Sequence, residues 1–252
     1  MSIKHILLPD SQVRPGVPTN HLEAAGNYIA EKKPDVIVHI GDHWDCPSLS
    51  GWDSVQRKVK EKVKYSSLDG KGDVEAGNEA FFRLNKPIKK VKNYSPRRIF
   101  TLGNHEQRIE RWREEFPHIG DAVSYDHLNF EGWQVVPYLK PICIHGIHYA
   151  HFFHPHLSPR AIGGAVPAML NKIGYSFSQG HRPGLEVGRK ALTNGKVIRG
   201  VVAGSFYQHF EQYKGHQGNA AQWNGIIVKH EVRAGDYSLC EVGIDYLLKN
   251  YS

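Results

Sequence analysis

Residues 35–45 read DVIVHIGDHWD, an apolar and β-branched run from Asp35 to Ile40 that delivers the chain into Gly41-Asp42 and a further carboxylate at Asp45. A short apolar run closed by turn residues predicts a buried strand. The same arrangement occurs on either side. Upstream, Ile3 to Leu8 runs into Pro9-Asp10-Ser11-Gln12, and downstream Arg98 to Leu102 runs into Gly103-Asn104-His105-Glu106. Between the first two, Leu22, Ala25, Tyr28 and Ile29 recur at helical spacing, with Thr19 or Asn20 as candidate cap and Pro34 just beyond the lysine-rich end. Between the second and third lies another helical stretch carrying Ala76, Phe81, Leu84, Ile88 and Val91. Strand, helix, strand, helix, strand predicts parallel strands covered by helices, with ligand sites beyond the carboxyl ends of the strands.

The second half has a different texture. Trp133 to Val136, Ile142 to Ile144, Ile147 to Phe153, Tyr175 to Ser178, Lys196 to Phe206, Trp223 to Val232 and Tyr237 to Ile244 are candidate strands, mostly joined by short glycine-containing turns, with one helical stretch near Ala161 to Ile173. That texture predicts hairpins. No linker rich in proline, serine or glycine divides the halves, so residues 1–252 are read as one domain, α/β, with two sheets packed face to face and helices outside.

Composition bounds the function. With 40% apolar, 11% aromatic and 23% charged residues over 252 positions, the chain is expected to be an ordinary globular protein and not a disordered one. The three cysteines, Cys46, Cys143 and Cys240, are widely spaced and contain no CxxC pair, which argues against a disulfide framework or a thiolate zinc site. The N-terminal residues lack a secretory h-region and no apolar stretch reaches about 18 residues, so a cytoplasmic protein with no membrane partner is expected. The net charge of +7 favours a polyanion as partner, and the 16 histidines ask for a chemical account. Part of the charge falls in a basic insert around residues 47–72, where Arg57, Lys58, Lys60, Lys62 and Lys64 read either as a phosphate-neutralising patch or as a solvated helix face.

Several common chemistries drop out. There is no GxxxxGK[ST] loop, GxGxxG fingerprint or GxSxG elbow, and no HExxH, because His105-Glu106 is followed at the required position by Ile109 and His230-Glu231 by Ala234. What remains is a series of ligand-type residues at strand ends. Singly, Asp10 and Asp42 would pass for turn residues and Asn104 for a helix cap. In order, Asp10-Ser-Gln12, Gly41-Asp42-His-Trp-Asp45, Gly103-Asn104-His105-Glu106, a later strand-end histidine and Gly180-His181 resemble the calcineurin-like metallophosphoesterase superfamily, whose pattern is DxH, GDxxD, GNH[DE], His and GHxH. The stretches GSFYQH (204–209) and WNGIIVKH (223–230) are similar to phage-type members.

The resemblance implies a four-layer α-β-β-α sandwich of two mixed sheets and two divalent metal ions, manganese first, with iron, zinc or nickel as other candidates. It implies that Asp10, Gln12 and Asp42 hold one ion and that Asp42, Asn104, His151 and His181 hold the other, with Asp42 as the bridge. His105 is then free to stabilise or protonate the leaving oxygen, and Asp45 orients its imidazole. The chain departs from the pattern twice. Gln12 stands where the first motif has histidine, and Pro183 where GHxH has its second; His209 is the candidate replacement, although it reads nearly as well as a satisfied surface histidine. For the strand-end ligand His151 is preferred to His145, with His148 and His154 behind them, because the text around His145-Gly146 reads as a hairpin turn.

Arg108 and Arg111, one turn beyond His105, are candidate phosphate-binding residues, or partners for Glu110, Glu114 and Glu115 on the same helix. Tyr207, Trp44 and Phe152 are candidates to stack on a base, or core aromatics. The implied function is hydrolysis of a phosphodiester, with DNA or RNA as candidate substrates, by direct attack of a metal-bridging hydroxide. The alternatives are a phosphomonoesterase acting on nucleotides or phosphoproteins, and a non-catalytic nucleic-acid-binding or scaffold protein with a degenerate metal site. The sequence sets no oligomeric state.

Overall fold

The three strands expected around residues 35–45 form and lie side by side. In a computed structural model, which describes residues 2–50, 67–118, 122–211 and 215–252, β1 (His5–Leu8), β2 (Val36–His39) and β3 (Arg97–Thr101) pair in parallel, and β4 (Gln134–Val136) pairs in parallel with β3. The basic run Arg57 to Lys64 lies outside the described residues. The connections after β1 and β2 are the helices α1 (Asn20–Lys32) and α2 (Ser67–Lys89), as the periodicity predicts. Thr19 is the N-cap of α1, yet its side chain makes no capping hydrogen bond; the other end closes on a left-handed Lys33 whose N–H reaches the Ile29 carbonyl.

A second sheet comprises β5 (Ile142–Ile144), β6 (Ile147–Tyr149), β7 (Phe177–Gln179), β8 (Leu185–Ala191) and β9 (Val197–Ala203), in the order β5-β6-β7-β9-β8. Its three central strands are parallel to one another, and the outer two fold back as antiparallel hairpins. The chain then returns to the first sheet. The hairpin β10 (Gly225–Arg233) and β11 (Asp236–Gly243) docks against β1 with β10 antiparallel to it, so both sheets are mixed. Four further helices are α3 (Gln107–Glu115), α4 (Val166–Ile173), α5 (Gly215–Ala220) and α6 (Ile244–Tyr251).

Strand alternation sorts the apolar residues into layers. Leu7, Val36, Val38 and Ile99 meet Ile144, Ile147, Tyr149 and Val201 of the other sheet, forming the core between the sheets. On the opposite face of the first sheet, Ile6, Leu8, Ile37 and Phe100 pack against Leu22, Ile29, Phe81 and Leu84 of α1 and α2. The outer face of the second sheet, with Phe177, Ile198 and Val202, is covered by Val166, Met169 and Leu170 of α4. The result is the expected helix, sheet, sheet, helix sandwich. Each fully buried aliphatic or aromatic side chain contributes about 1.5–3 kcal/mol of transfer free energy to it.

Not every element was anticipated. The strand list has no counterpart of β8, an edge strand of alternating half-buried and exposed residues interrupted by Gly188, whose missing side chain leaves room for Val166 of α4: a Cβ there would lie 2.6 Å from Val166 Cγ1. The short α5 and the C-terminal α6, which buries Leu247, were likewise not marked.

The core between the sheets contains a polar network. Fully buried Lys229 donates to the hydroxyls of Ser178 and Tyr149 and lies over the rings of Tyr149 and Tyr237, at 4.6 and 4.8 Å from their centroids. Burial pushes its pKa well below the usual lysine range. His5 bridges Tyr149 Oη at 2.7 Å and His145 Nδ1 at 2.8 Å, and His145 at the β5–β6 turn has φ 50°. Part of the histidine excess is therefore structural: His5, His21, His39 and His43 are all buried.

This makes stability sensitive to acid. Burial lowers the pKa of His5 to about 3, aided by the charge of Lys229, and that of His21 to about 4. Both rings stay neutral in the fold while the unfolded chain protonates them near 6.5, so the stability they support is full above pH 6.5 and is lost as pH falls towards the folded values. At pH 5 each ring should cost about 2 kcal/mol by the conversion of roughly 1.4 kcal/mol per tenfold in proton affinity. Urea midpoints measured from pH 8 to 5 should fall below pH 6.5, and the fall should shrink in His21→Gln.

Candidate metal centre

Six loops meet at one end of the sandwich because the central strands of both sheets finish there. Asp10 follows β1, Asp42 follows β2 and Asn104 follows β3, each two or three residues past the strand; His151, His181 and Ser205 follow β6, β7 and β9 in the same way. Asp10, Gln12, Asp42, Asn104, His105, His181, Pro183, Ser205 and Tyr207 line one small cavity of about 130 Å³ between the two sheets. Two glycines permit the close approach. A Cβ on Gly103 would stand 2.1 Å from Asp42 Oδ1, and one on Gly180 would stand 2.1 Å from Asp10 Oδ1. The glycines of GNHE and GH are thus required by the neighbouring carboxylates.

A buried carboxylate holds the loops in register. Glu106 is 0% exposed, and its Oε2 accepts from the backbone N–H groups of Asp42 (2.9 Å) and Gly103 (2.8 Å) while Oε1 accepts from those of His43 (2.7 Å) and Trp44 (3.0 Å). One side chain therefore closes the loop after β2 onto the loop after β3. Burial, with the charge of Asp42 nearby, raises its pKa above the usual carboxylate range. Beneath the Asp10 loop, His43 Nε2–H donates to the Gly77 carbonyl (2.9 Å), which leaves Nδ1 to accept from Ser11 Oγ (2.7 Å), whose oxygen in turn accepts from His39 Nε2–H (3.0 Å).

Within the cavity, lone pairs converge. His151 Nδ1–H donates to the Ile40 carbonyl at 2.8 Å, which fixes the tautomer and turns Nε2 towards Asn104 Oδ1 (2.9 Å), Asp42 Oδ2 (3.2 Å) and His181 Nδ1 (3.3 Å). His181 Nδ1 is itself 2.8 Å from Asn104 Oδ1. Such atoms repel one another unless a proton or a cation lies among them. In the metal-free protein a proton does so: although burial opposes it, Asp42 and Asp10 raise the pKa of His151 to about 10. Burial likewise acts to raise Asp42, but His105 and His151 hold it well below the usual range. Asp10, which accepts from the His181 N–H through both oxygens at 3.1 and 3.0 Å, is raised to about 7 by burial, partly offset by His151 and reinforced by Asp42. His181 is lowered to about 4 by burial of its inner face and by the charge of His151. A divalent cation would replace the His151 proton and offset both carboxylates, so the donor set fits a transition metal, whose binding releases protons.

His105 faces the same cavity from the turn that precedes α3. Its Nδ1 is 2.8 Å from Asp45 Oδ1, its Nε2 is 3.5 Å from Asp42 Oδ2, and its N–H donates to Asp42 Oδ1 at 2.8 Å. Burial opposes protonation of His105, but Asp42 outweighs it and the pKa is raised. Asp45 is held well below the carboxylate range by His105, Arg108 and Arg14 against the effect of burial. Arg14 Nη1 reaches Asp45 Oδ2 at 2.8 Å and Glu211 Oε1 at 3.1 Å, and Arg108 donates to the Asp45 carbonyl and, at 3.3 Å, to its Oδ1. Arg14, Glu211 and Glu106 carried no assignment in the sequence reading. Glu106 closes the GNHE motif and could have been flagged there; Arg14 and Glu211 lie 197 positions apart and had no local signal.

Other residues fall differently. His209 is not among the cavity-lining residues; its Nε2 is 2.7 Å from Glu211 Oε1 and its ring stacks on Tyr207. His145 lies with His5 and not with the cluster. Arg108 is committed to Asp45, and Arg111 is exposed on α3 outside the cavity lining. Trp44, a candidate for base stacking, is instead fully buried against His43, Phe81, Phe100 and Phe130. Phe152 packs 4.8 Å from His181, and Tyr207 lines the cavity with its hydroxyl on Gln222 at 2.9 Å.

Comparison with known proteins agrees with this geometry. The model for calcineurin-like phosphoesterases matches residues 17–183, and the chain belongs to that family, whose chemistry is metal-dependent phosphoester hydrolysis. The match begins after Asp10 and Gln12. The chain is similar to Gene 54 protein of Mycobacterium phage L5, 26% identical over 197 residues that cover 73% of this chain and 72% of that one. It is also similar to Gene 54 protein of Mycobacterium phage D29, 26% identical over 141 residues that cover 54% and 50%. A solved structure superposes over 96% of this chain and 100% of its own with a TM-score of 0.48 and 10% identity, too distant to add to the assignment. Among the described residues no helix is long and apolar enough to cross a membrane.

The Glu106 clamp is directly testable. Hydrogen bonds to a charged group contribute roughly 1.5–3 kcal/mol each, and buried donors left without a partner add to the cost. Glu106→Ala should therefore lose at least about 3 kcal/mol in urea unfolding of the metal-free protein, and Glu106→Gln, which keeps one oxygen, should fall between it and wild type. A Glu106→Ala variant within about 0.5 kcal/mol of wild type would show that the loops hold themselves.

Proposed function

We propose that the protein is a dinuclear metal-dependent phosphodiesterase, with nucleic acid as the substrate class that its charge favours. The observation that carries the reading is the convergence of Asp42 Oδ2, Asn104 Oδ1, His151 Nε2 and His181 Nδ1 on one point beside a histidine–aspartate pair. Asp42, Asn104, His151 and His181 would hold one divalent ion, and Asp10, Gln12 and Asp42 the other; manganese, iron, zinc or nickel suits the mixed nitrogen and oxygen donors. Such ions would supply Lewis-acid chemistry at the phosphoryl group and a nucleophile at neutral pH.

The remaining chemistry belongs to the side chains. His105 Nε2, which faces the cavity beside Asp42, is placed to deliver a proton to the leaving oxygen. Asp45 pairs with the imidazole, its Oδ1 lying 2.8 Å from Nδ1, and Arg14 and Arg108 keep that carboxylate ionised and in place. The cavity of about 130 Å³ takes the reacting phosphoryl group and not a whole nucleotide, so the rest of the substrate lies along the rim. A net charge of +7 supports a polyanionic diester over a small monoester.

With manganese added, bis-p-nitrophenyl phosphate should be hydrolysed faster than p-nitrophenyl phosphate; the reverse preference sinks the diester reading. His105→Ala should lower kcat by about 10²–10⁴ while retaining metal, because general acid catalysis contributes on that scale. Asn104→Ala should lose metal as well as turnover, read by metal analysis after gel filtration. Unchanged activity in both variants would mean that the site is misassigned.

A further inference from the structure

The two sides of Asp42 offer unlike donors. On the Asn104 side stand two imidazole nitrogens, an amide oxygen and a carboxylate. The cavity wall also includes Asp10, Gln12, Pro183, Ser205 and Tyr207, none of which supplies a ring nitrogen. His209 has its Nε2 engaged by Glu211 at 2.7 Å.

Gln12 carries the second observation. It is 8% exposed and borders the cavity, yet its side-chain amide makes no hydrogen bond among the described residues. Its backbone is held in the left-handed region at φ 42°, by its own N–H on the Asp42 carbonyl (2.9 Å) and the Val13 N–H on that of His43 (2.7 Å). That loop brings a side-chain amide to the same cavity wall as Asp10 and Asp42, where its oxygen is available to a cation.

We propose that the centre is asymmetric: a nitrogen-containing position at Asp42, Asn104, His151 and His181 retains one transition-metal ion, and an oxygen-only position at Asp10, Gln12 and Asp42 takes a hard divalent cation, Mg²⁺ or Mn²⁺, and exchanges it freely. Imidazole suits zinc, iron and nickel, whereas carboxylate and amide oxygens suit magnesium and manganese. Hard cations on one or two carboxylates keep several waters and are bound firmly only when a substrate phosphate adds its oxygens. The inference rests on the reading of this cavity as a metal centre.

The test is binding, without turnover. Metal-free protein is loaded with one equivalent of Zn²⁺, passed over a desalting column and titrated with Mn²⁺ followed by its EPR signal. One zinc should survive the column, Mg²⁺ should displace the Mn²⁺ bound after it, and Mn²⁺ titrated into metal-free protein should bind in two events at least about 100-fold apart in affinity. Gln12→His, checked for folding by circular dichroism, should tighten the second event at least about tenfold and let Zn²⁺ compete for it. Two equivalents of equal affinity in the wild type, a folded Gln12→His that leaves the second event unchanged, or loss of that event in His209→Ala each overturns the asymmetry while leaving the metal centre standing. Should Gln12→His fail to fold, the separation of the two Mn²⁺ events in the wild type still decides: two events of equal affinity overturn the asymmetry. Failure of the wild type to retain any ion overturns the proposed function itself.

Discussion

The Glu106 carboxylate is the constraint on which the centre depends. Four backbone N–H groups from two loops point at its two fully buried oxygens, so neither loop can shift without leaving donors unpaired. That clamp sets the positions of Asp42, Asn104 and His105 together, since all three lie within four residues of an atom it holds. It also explains why Gly103 must lack a side chain: the loop is drawn so near that Asp42 Oδ1 occupies the place of a Cβ. Charge is then organised around Asp42, which faces His105 on one side and His151 on another and remains ionised despite burial.

The histidine excess divides by environment. His105, His151 and His181 face the cavity, whereas His5, His21, His39 and His43 are buried elsewhere with backbone or side-chain partners and no route to a substrate. In the first group neighbouring carboxylates raise His105 and His151, while burial and the charge of His151 lower His181. In the second, burial dominates and every ring is driven towards neutrality. The same residue type thus serves a charged pocket and a dry core, and only its neighbours tell the two apart.

Much of this was legible from local pattern. The runs ending in Asp10, Asp42 and Asn104 became parallel neighbours because apolar alternation and closing turns act over a few residues. Preference for His151 over His145 followed from the hairpin text around Gly146, and the structure places His151 by Asp42 and His145 by His5. Where distant chain segments decide, the reading failed or was silent. The strand β8 is interrupted by a glycine that only the packing of α4 explains. Trp44 lies two residues past Asp42 yet turns into the core, and Arg108 follows His105 by one turn yet grips Asp45.

The sequence by itself determined the class of fold, the strand ends that meet and the residue types available to chemistry there, because strand periodicity and turn chemistry are properties of short segments. It also displayed the two departures, Gln12 and Pro183, as plain text. Only the tertiary structure decided which donors share a point in space. That Glu106 joins two loops, that Glu211 reaches Arg14 and His209, and that Asp10 and Gln12 share a cavity wall with Pro183, Ser205 and Tyr207 all depend on contacts between residues far apart in the chain. Such contacts are fixed by how sheets and helices pack, a balance of burial and hydrogen-bond satisfaction over the whole molecule that no single segment encodes.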